Sequence, residues 1–290
     1  MREKNLLLIF LFIIVFLGLY FAGIQNKSFK EDFIHEVKFY DGKTFFEGVQ
    51  KSEGITKQNY HIRGGIVPHH LYPGFIIADF FKRLSYQNPK TIVLIGPNHY
   101  EKGNFKALTS LYIWETPYGV VNPDTDFINN LLGKNLLKID EEVLPEDHSV
   151  SGILPFIKYY IGEGKVVPIL LKRGFTEKES DILASNIEKL LDEDTVVIAA
   201  VDFSHYLTSE EAKKKDDVTL KIMQDFDYPN LYLLNNDYLD SPSSIGVLLK
   251  VMQKLGSTNS EVLFHTNSGE MQKNNGIETT SYFSIAYYGN

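Results

Sequence analysis

The feature that most constrains the fold is a strand pattern that occurs three times and each time leads into a histidine. The runs cover residues 62–68, 91–95 and 195–201. Short apolar runs bounded by turn residues are typical of buried parallel strands. Gly96-Pro97 is expected to end the second run. The pattern predicts an α/β domain with a mainly parallel central sheet flanked by helices.

The histidines that follow these runs are His69, His99 and His205. In an open α/β sheet, ligands bind outside the carboxyl ends of the strands. If the three strands are neighbours, the three imidazoles meet at one edge of the sheet. Three imidazoles at one point suit a facial metal site, so the sequence predicts that His69, His99 and His205 are metal ligands.

Two further residues are candidates for catalysis. Asp202 lies at the end of the third run, where it could orient a histidine, ligate the metal or act as a base; the alternative is a solvated aspartate that caps the next turn. His148 precedes a predicted helix, where a neutral imidazole is favoured. The alternative for His148 is a turn residue with no chemical role.

Composition and motifs exclude several classes of function. The net charge of −8 argues against binding to nucleic acid. The chain has no cysteine, which excludes disulfides, thiolate ligands and cysteine nucleophiles. Dinucleotide, P-loop, α/β-hydrolase and zincin motifs are absent from the sequence.

The amino-terminal region predicts a membrane anchor. Residues 6–24 are apolar and uncharged over roughly 19 positions, long enough to span a bilayer as a helix. The alternative is a cleaved signal peptide. The expected organisation is a signal anchor at 1–25, a tether and entry segment at 26–60 and one domain at 61–290. With a short cytoplasmic amino terminus, the domain would lie outside the cytoplasm.

Six sequence blocks carry a resemblance to a known family. They are VPHHLYPG (67–74), IGPNH (95–99), EDHSV (146–150), LPF (154–156), VDFSHY (201–206) and SIGVLL (244–249). In order and spacing they resemble the Memo family, whose prokaryotic members are called AmmeMemoRadiSam system protein B. The resemblance implies a fold like that of class III extradiol dioxygenases, and a pocket of three histidines for iron or copper. Motif by motif, it places those ligands on His69, His99 and His205, and an acidic pocket residue on Asp202.

The chain departs from the family pattern at two positions. Asp240 stands where the family often has a cysteine, and Ser151 stands where it often has a glutamate. The first change removes any role for a thiolate, but Asp240 can supply an oxygen ligand or a base. We therefore include Asp240 with Asp202 and His148 among the candidate catalytic residues.

Three functions are consistent with these features. The first is a membrane-anchored oxidoreductase with Fe(II) or copper at the histidines. The second is a module that binds a metal, a small molecule or a peptide without turnover, beside the AMMECR1-type and radical-SAM partners that the resemblance implies. The third is a hydrolase with zinc in the same site, since three histidines and a water also suit Zn²⁺.

Overall fold

The computed structural model describes residues 33–289. Helices and strands alternate along the chain, as the sequence predicts. The strands are β1 (Ile34–Glu36), β2 (Ile62–Val67), β3 (Thr91–Pro97), β4 (Ala107–Thr109), β5 (Ile113–Thr116), β6 (Gly119–Val121), β7 (Lys138–Ile139), β8 (Lys165–Leu171), β9 (Thr195–Ala200), β10 (His205–Leu207), β11 (Asn259–Asn267) and β12 (Thr279–Tyr288). The helices are α1 (Gly42–Ser52), α2 (Gly74–Ser85), α3 (Thr125–Gly133), α4 (His148–Ser151), α5 (Leu154–Ile161), α6 (Glu177–Glu188), α7 (Ser209–Gln224), α8 (Tyr228–Leu231), α9 (Pro242–Lys254) and α10 (Ser268–Met271).

The main sheet is mixed, so the prediction of a mainly parallel sheet is wrong. Within the described residues the strand order is β10-β12-β2-β9-β3-β8-β4-β7, with β11 also paired to β12. Strands β2, β9, β3 and β8 are parallel to their neighbours in this group. Strands β12 and β4 run antiparallel on either side of it, and β10 and β11 pair antiparallel with β12. The apolar runs therefore predict the centre of the sheet but not its borders.

Helices cover both faces of the central strands and form two cores. Successive side chains of a strand point to opposite faces. In β3, Ile92 and Leu94 pack with α2 and α5, whereas Val93 and Ile95 pack with α6 and α9. A strand buried on both faces needs a continuous apolar run, which explains why these segments lack polar alternation.

The glycine pair in β2 lies where side chains of the flanking helices approach the strand closely. A Cβ atom on Gly65 would lie 2.1 Å from the ring of Phe80 in α2. On the other face, a Cβ on Gly64 would lie 2.6 Å from Met252 in α9. Helices on both faces thus hold the strand whose carboxyl end leads to His69.

The prediction of a membrane anchor is not supported. The predicted span, residues 6–24, lies outside the residues that the structure describes. Among the helices of residues 33–289, none is long and apolar enough to cross a membrane. The prediction of a single-pass anchor with an extracytoplasmic domain therefore finds no support among the described residues.

Candidate metal centre

His69 is fixed two residues beyond the end of β2. Its side chain is 2% exposed, and its ring Nδ1 lies 3.0 Å from the carbonyl oxygen of Ala200 at the end of β9. Because a carbonyl only accepts hydrogen bonds, Nδ1 carries the hydrogen and donates it. The backbone N–H of His69 donates to Oδ1 of Asp202 over 3.1 Å. Nε2 is thus left facing the site.

His99 is held in the same way, at the end of β3, by a buried carboxylate. Asp147 accepts hydrogen bonds from the backbone N–H of His99 over 2.8 Å and from its Nδ1 over 2.9 Å. It also accepts the N–H of Ser149 over 3.0 Å, which makes it the N-cap of α4. Burial alone would raise the pKa of Asp147, but the bonds from His99 outweigh it and lower the pKa. A carboxylate that fixes a ring in this way is the usual support of a metal-binding histidine.

His148 completes a group of three histidines. Its ring stacks on that of His99 with 4.1 Å between the ring centres, and the ring of His69 lies 4.9 Å away. Each of the three rings has one nitrogen that lies within 4.8 Å of a nitrogen of each of the other two rings. Burial, and then the neighbouring His69 and His99, lower the pKa of His148 to about 4, so this imidazole is neutral near pH 7. The three histidines could hold a metal ion.

Asp240 faces two of these histidines from the segment before α9. Its Oδ2 lies 3.1 Å from Nε2 of His69 and 3.7 Å from Nε2 of His99. The backbone N–H of Asp240 donates to the carbonyl oxygen of Asp202 over 3.1 Å, which ties this segment to the end of β9. Within the described residues, neither carboxylate oxygen has a hydrogen bond of acceptable geometry, although both are buried.

These distances fit a cation between the ligands. Two atoms bound about 2.1 Å from one ion lie about 3.0 Å apart at right angles and about 3.4 Å apart in a tetrahedron. The separations of Asp240 from His69 and His99 are close to these values. In the neutral rings, each Nε2 presents a lone pair to the carboxylate, an arrangement that is repulsive unless a proton or a metal ion lies between them. Two histidines and a carboxylate form the facial set found in non-haem iron enzymes.

In the absence of a metal ion, protons occupy the space between the carboxylate of Asp240 and the Nε2 atoms of His69 and His99. Burial would lower the pKa of His69, but Asp202 and Asp240 outweigh it and raise the pKa to about 10. Burial would also lower the pKa of His99, but its bond to Asp147 and the facing carboxylate of Asp240 outweigh burial and raise the pKa. Burial would raise the pKa of Asp240, but the facing histidines hold it below its usual range.

The other two predicted site residues lie at the border of this group. Asp202 belongs to a second set of possible ligands with His69 and Asp240, whose ligand atoms are also within 4.8 Å of one another. His205, in β10, is in neither set, but it lines the same cavity as His99 and Asp240. Its assignment as a metal ligand stays a prediction.

A cavity of about 620 Å³ opens beside the metal-binding group. His99, His205 and Asp240 form part of its wall, so a bound molecule would reach the ion directly. Phe175 and Tyr232 add aromatic surface. The cavity lies beyond the carboxyl ends of β3 and β8, where α/β sheets bind their ligands.

Sequence reasoning missed two supporting carboxylates. Asp147 carries a local signal, since aspartate before a helix is a common N-cap, but its bond to His99 spans 48 positions of the chain. Asp216 is fully buried in α7 and accepts hydrogen bonds from Oγ of Ser204 over 2.7 Å and from Nε2 of His265 over 2.8 Å. Its hydrogen bond with Ser204 thereby stabilises the segment between Asp202 and β10. No local pattern in the sequence marks this contact.

Several known proteins are similar to this chain in sequence. A sequence model of the Memo family, described as Memo-like protein, matches residues 42–285. A MEMO1 family protein of Pyrobaculum aerophilum is 31% identical over 278 residues, covering 92% of this chain and 97% of the relative. A MEMO1 family protein of Aquifex aeolicus is 31% identical over 234 residues, covering 77% and 83%.

Among solved structures, the fold is similar to that of an uncharacterized protein, JW3007, from Escherichia coli K12. The TM-score is 0.51 at 13% identity, with 77% of this chain and 99% of the other covered. At this level of identity, the similarity concerns the fold alone.

Proposed function

The chain belongs to the Memo family, and we propose that it is a non-haem metal oxidoreductase that holds Fe²⁺ with His69, His99 and Asp240. The observation that carries the proposal is the convergence of two Nε2 atoms on a buried carboxylate whose oxygens lack hydrogen bonds. Buried polar atoms are rarely left without a partner, and a cation satisfies all three groups at once.

The ligand atoms favour iron over copper(I). Cu⁺ prefers thiolate and thioether sulfur, whereas nitrogen and carboxylate oxygen suit Fe²⁺. The chain has no cysteine, and the position at which the family often has one is Asp240. When bound, Fe²⁺ at two histidines and one carboxylate has open positions for dioxygen and for a substrate oxygen.

The surrounding residues orient the ligands and the substrate. Ala200 and Asp147 fix the rings of His69 and His99 so that only Nε2 faces the ion. His148 is neutral near pH 7, so a nitrogen of its ring can accept a hydrogen bond from a substrate hydroxyl beside the site. The aromatic wall of the cavity suits a planar substrate with hydroxyl groups, so a catechol is the first class to test.

Oxygen uptake by the iron-loaded protein tests the proposal. The full chain is purified without oxygen, loaded with Fe²⁺ and mixed with a panel of catechols in an oxygen electrode. We expect uptake that depends on both iron and catechol and is lost in His99→Ala. A zinc-loaded protein serves as the matched control, because it has the same ligands without redox chemistry. Ester hydrolysis by the zinc form, without oxygen uptake by the iron form, would contradict the proposal.

A further inference from the structure

We propose that Tyr206 makes the site specific for planar aromatic substrates, by stacking its ring against a substrate whose oxygens bind the ion. The inference rests on the proposed function, because it concerns the molecule that occupies the cavity beside His99 and Asp240. Tyr206 belongs to the wall of this cavity and directly follows His205. It would position the substrate without taking part in the reaction itself.

The backbone of Tyr206 adopts a conformation that a tyrosine disfavours. Its φ is 61°, in the left-handed region, where residues other than glycine are uncommon. Strand β10 pairs His205 with Thr280 and Leu207 with Thr279 of β12, so Tyr206 is an extra residue without a partner, a β-bulge. Glycine is the usual residue at a left-handed bulge position. The tyrosine at this position therefore costs stability.

The packing of the protein does not account for this tyrosine. Tyr206 is 70% exposed, more than any other aromatic residue in the range 33–289. Within the same range, the aromatic contact of its ring is with the neighbouring His205, at 5.7 Å between the ring centres. The ring belongs to neither hydrophobic core. Its exposed surface is therefore free to contact a molecule in the cavity.

Phe226, the other aromatic residue of the described chain with a left-handed φ, has a structural reason for it. Its φ is 53°, and it follows the C-cap of α7, Asp225. A left-handed residue commonly ends a helix in this way. The side chain of Phe226 also packs against a hydrophobic core. Neither reason applies to Tyr206, which lies in a strand and is exposed.

A function in substrate binding accounts for both the strain and the exposure. β-Bulges are frequent next to active sites, where they redirect a side chain, and strained backbone is common where a ligand is held. Aromatic rings pair favourably with 4.5–7 Å between their centres. A planar substrate bound to the ion from the cavity would cover the ring of Tyr206 and gain the energy of such a pair.

Two probes that bind a metal ion through adjacent oxygens test the inference. Catechol has an aromatic ring, whereas acetohydroxamate has none. The full chain is loaded with Zn²⁺, which holds both probes without oxidising them, and calorimetry measures the dissociation constants. We expect Tyr206→Ala to weaken catechol binding by about 2- to 13-fold, the contribution of one aromatic pair. The binding of acetohydroxamate should not change.

Three further variants separate the ring from the backbone. Tyr206→Phe keeps the ring and should bind both probes as the wild type does. Tyr206→Gly should bind catechol as weakly as Tyr206→Ala but melt about 2–4 °C higher, because only alanine retains the unfavourable φ. Phe46→Ala is the matched control, because it removes a 54% exposed aromatic ring outside the cavity wall; its binding of both probes should not change.

Steady-state kinetics of the iron form give a second measurement. In oxygen uptake with catechol, Tyr206→Ala should raise KM by the same factor and leave kcat unchanged, since the stacking is equal in the ground state and the transition state. A loss of kcat without a change in KM would show a role in the chemical step and overturn the assignment of Tyr206 as a specificity residue.

The possible results separate this inference from the proposed function. If the wild type binds both probes and Tyr206→Ala binds catechol equally tightly, the inference is wrong and the metal site stands. Equal losses for both probes in Tyr206→Ala would show that the residue supports the ion and not the substrate ring, which also overturns the inference. If the wild type does not bind catechol, the proposed substrate class is wrong, and the inference with it.

Discussion

Asp240 is the residue on which the ligand assignment depends, because its carboxylate faces both His69 and His99. Asp240→Asn keeps the shape and removes the charge. Since even residues that only support a metal ligand contribute about 10–100-fold to metal affinity, the loss of a ligand charge should cost at least that factor for Fe²⁺. Asp240→Cys should shift the preference toward Cu⁺. Competition with a chromophoric chelator measures both, and an unchanged dissociation constant in Asp240→Asn would remove Asp240 from the ligand set.

His69 makes metal binding depend on pH. Its pKa rises from an ordinary value of about 6.5 to about 10 in the folded, metal-free protein. The bound proton therefore stabilises the metal-free fold fully below about pH 6.5, and this stabilisation is lost as the pH rises toward 10. A metal ion must displace that proton, so metal affinity should increase with pH by about tenfold per unit between about pH 7 and 9. Calorimetry in buffers of different ionisation enthalpy should show proton release on binding, and a flat affinity profile would contradict the raised pKa.

Among the elements, the short helix α4 depends on a glycine in β3. A Cβ on Gly96 would lie 2.5 Å from Oγ of Ser149, which donates to the carbonyl of Pro97. Gly96→Ala should therefore push α4, and His148 with it, away from His99. We expect a loss of about 1–3 kcal/mol in the free energy of unfolding and weaker metal binding. Urea denaturation measures the first and a metal titration the second.

The control for this prediction is Gly133→Ala at the end of α3. A Cβ at Gly133 has no atom within 4 Å, and its φ is not left-handed. This substitution should leave metal binding unchanged and stabilise the chain slightly, by about 0.4–1 kcal/mol. If Gly96→Ala behaves like Gly133→Ala, the close approach of α4 does not determine the position of His148.

The local sequence predicts helices and strands well where apolar side chains repeat. It predicts their ends poorly where backbone contacts determine how far an element extends. The apolar run at 165–171 is typical of a buried strand and forms β8. The pattern Thr176-x-x-Glu179 is typical of a capping box, and α6 begins there. By contrast, β3 continues through Gly96-Pro97, which we expected to end it, because its backbone pairs with β8 as far as Leu171. The apolar spacing of residues 150–161 predicts one helix after His148, but the structure has two, α4 and α5, separated by Gly152-Ile153.

For the molecule as a whole, the order of the strands decides which residues meet. Neighbouring β2, β9 and β3 bring His69, Asp202 and His99 together. The strand-end pattern predicted that His205 would join His69 and His99, whereas His205 lies in the wall of the cavity and in neither set of possible ligands. The sequence could not show that β12 pairs antiparallel with β2, because strand order depends on contacts between distant segments. For the same reason, it could not show that Asp240 faces His69 across 171 positions of the chain.

The metal should stabilise the whole fold, because its ligands come from three separate segments. At a free metal concentration about 100 times the dissociation constant, the free energy of unfolding should rise by about 2.7 kcal/mol. For a chain of this size, the melting temperature should rise by about 5–10 °C. Differential scanning calorimetry with and without Mn²⁺ measures the shift. His99→Ala should show a much smaller shift, and an equal shift in this variant would place the stabilising ion elsewhere.

Anomalous diffraction from crystals of the iron-loaded protein tests the central claim most directly. Data collected on both sides of the iron absorption edge locate the metal without reference to activity. We predict an iron peak about 2.0–2.2 Å from Nε2 of His69, Nε2 of His99 and a carboxylate oxygen of Asp240. An iron peak that contacts the histidines but not Asp240, or no iron peak between these three residues, would contradict the account.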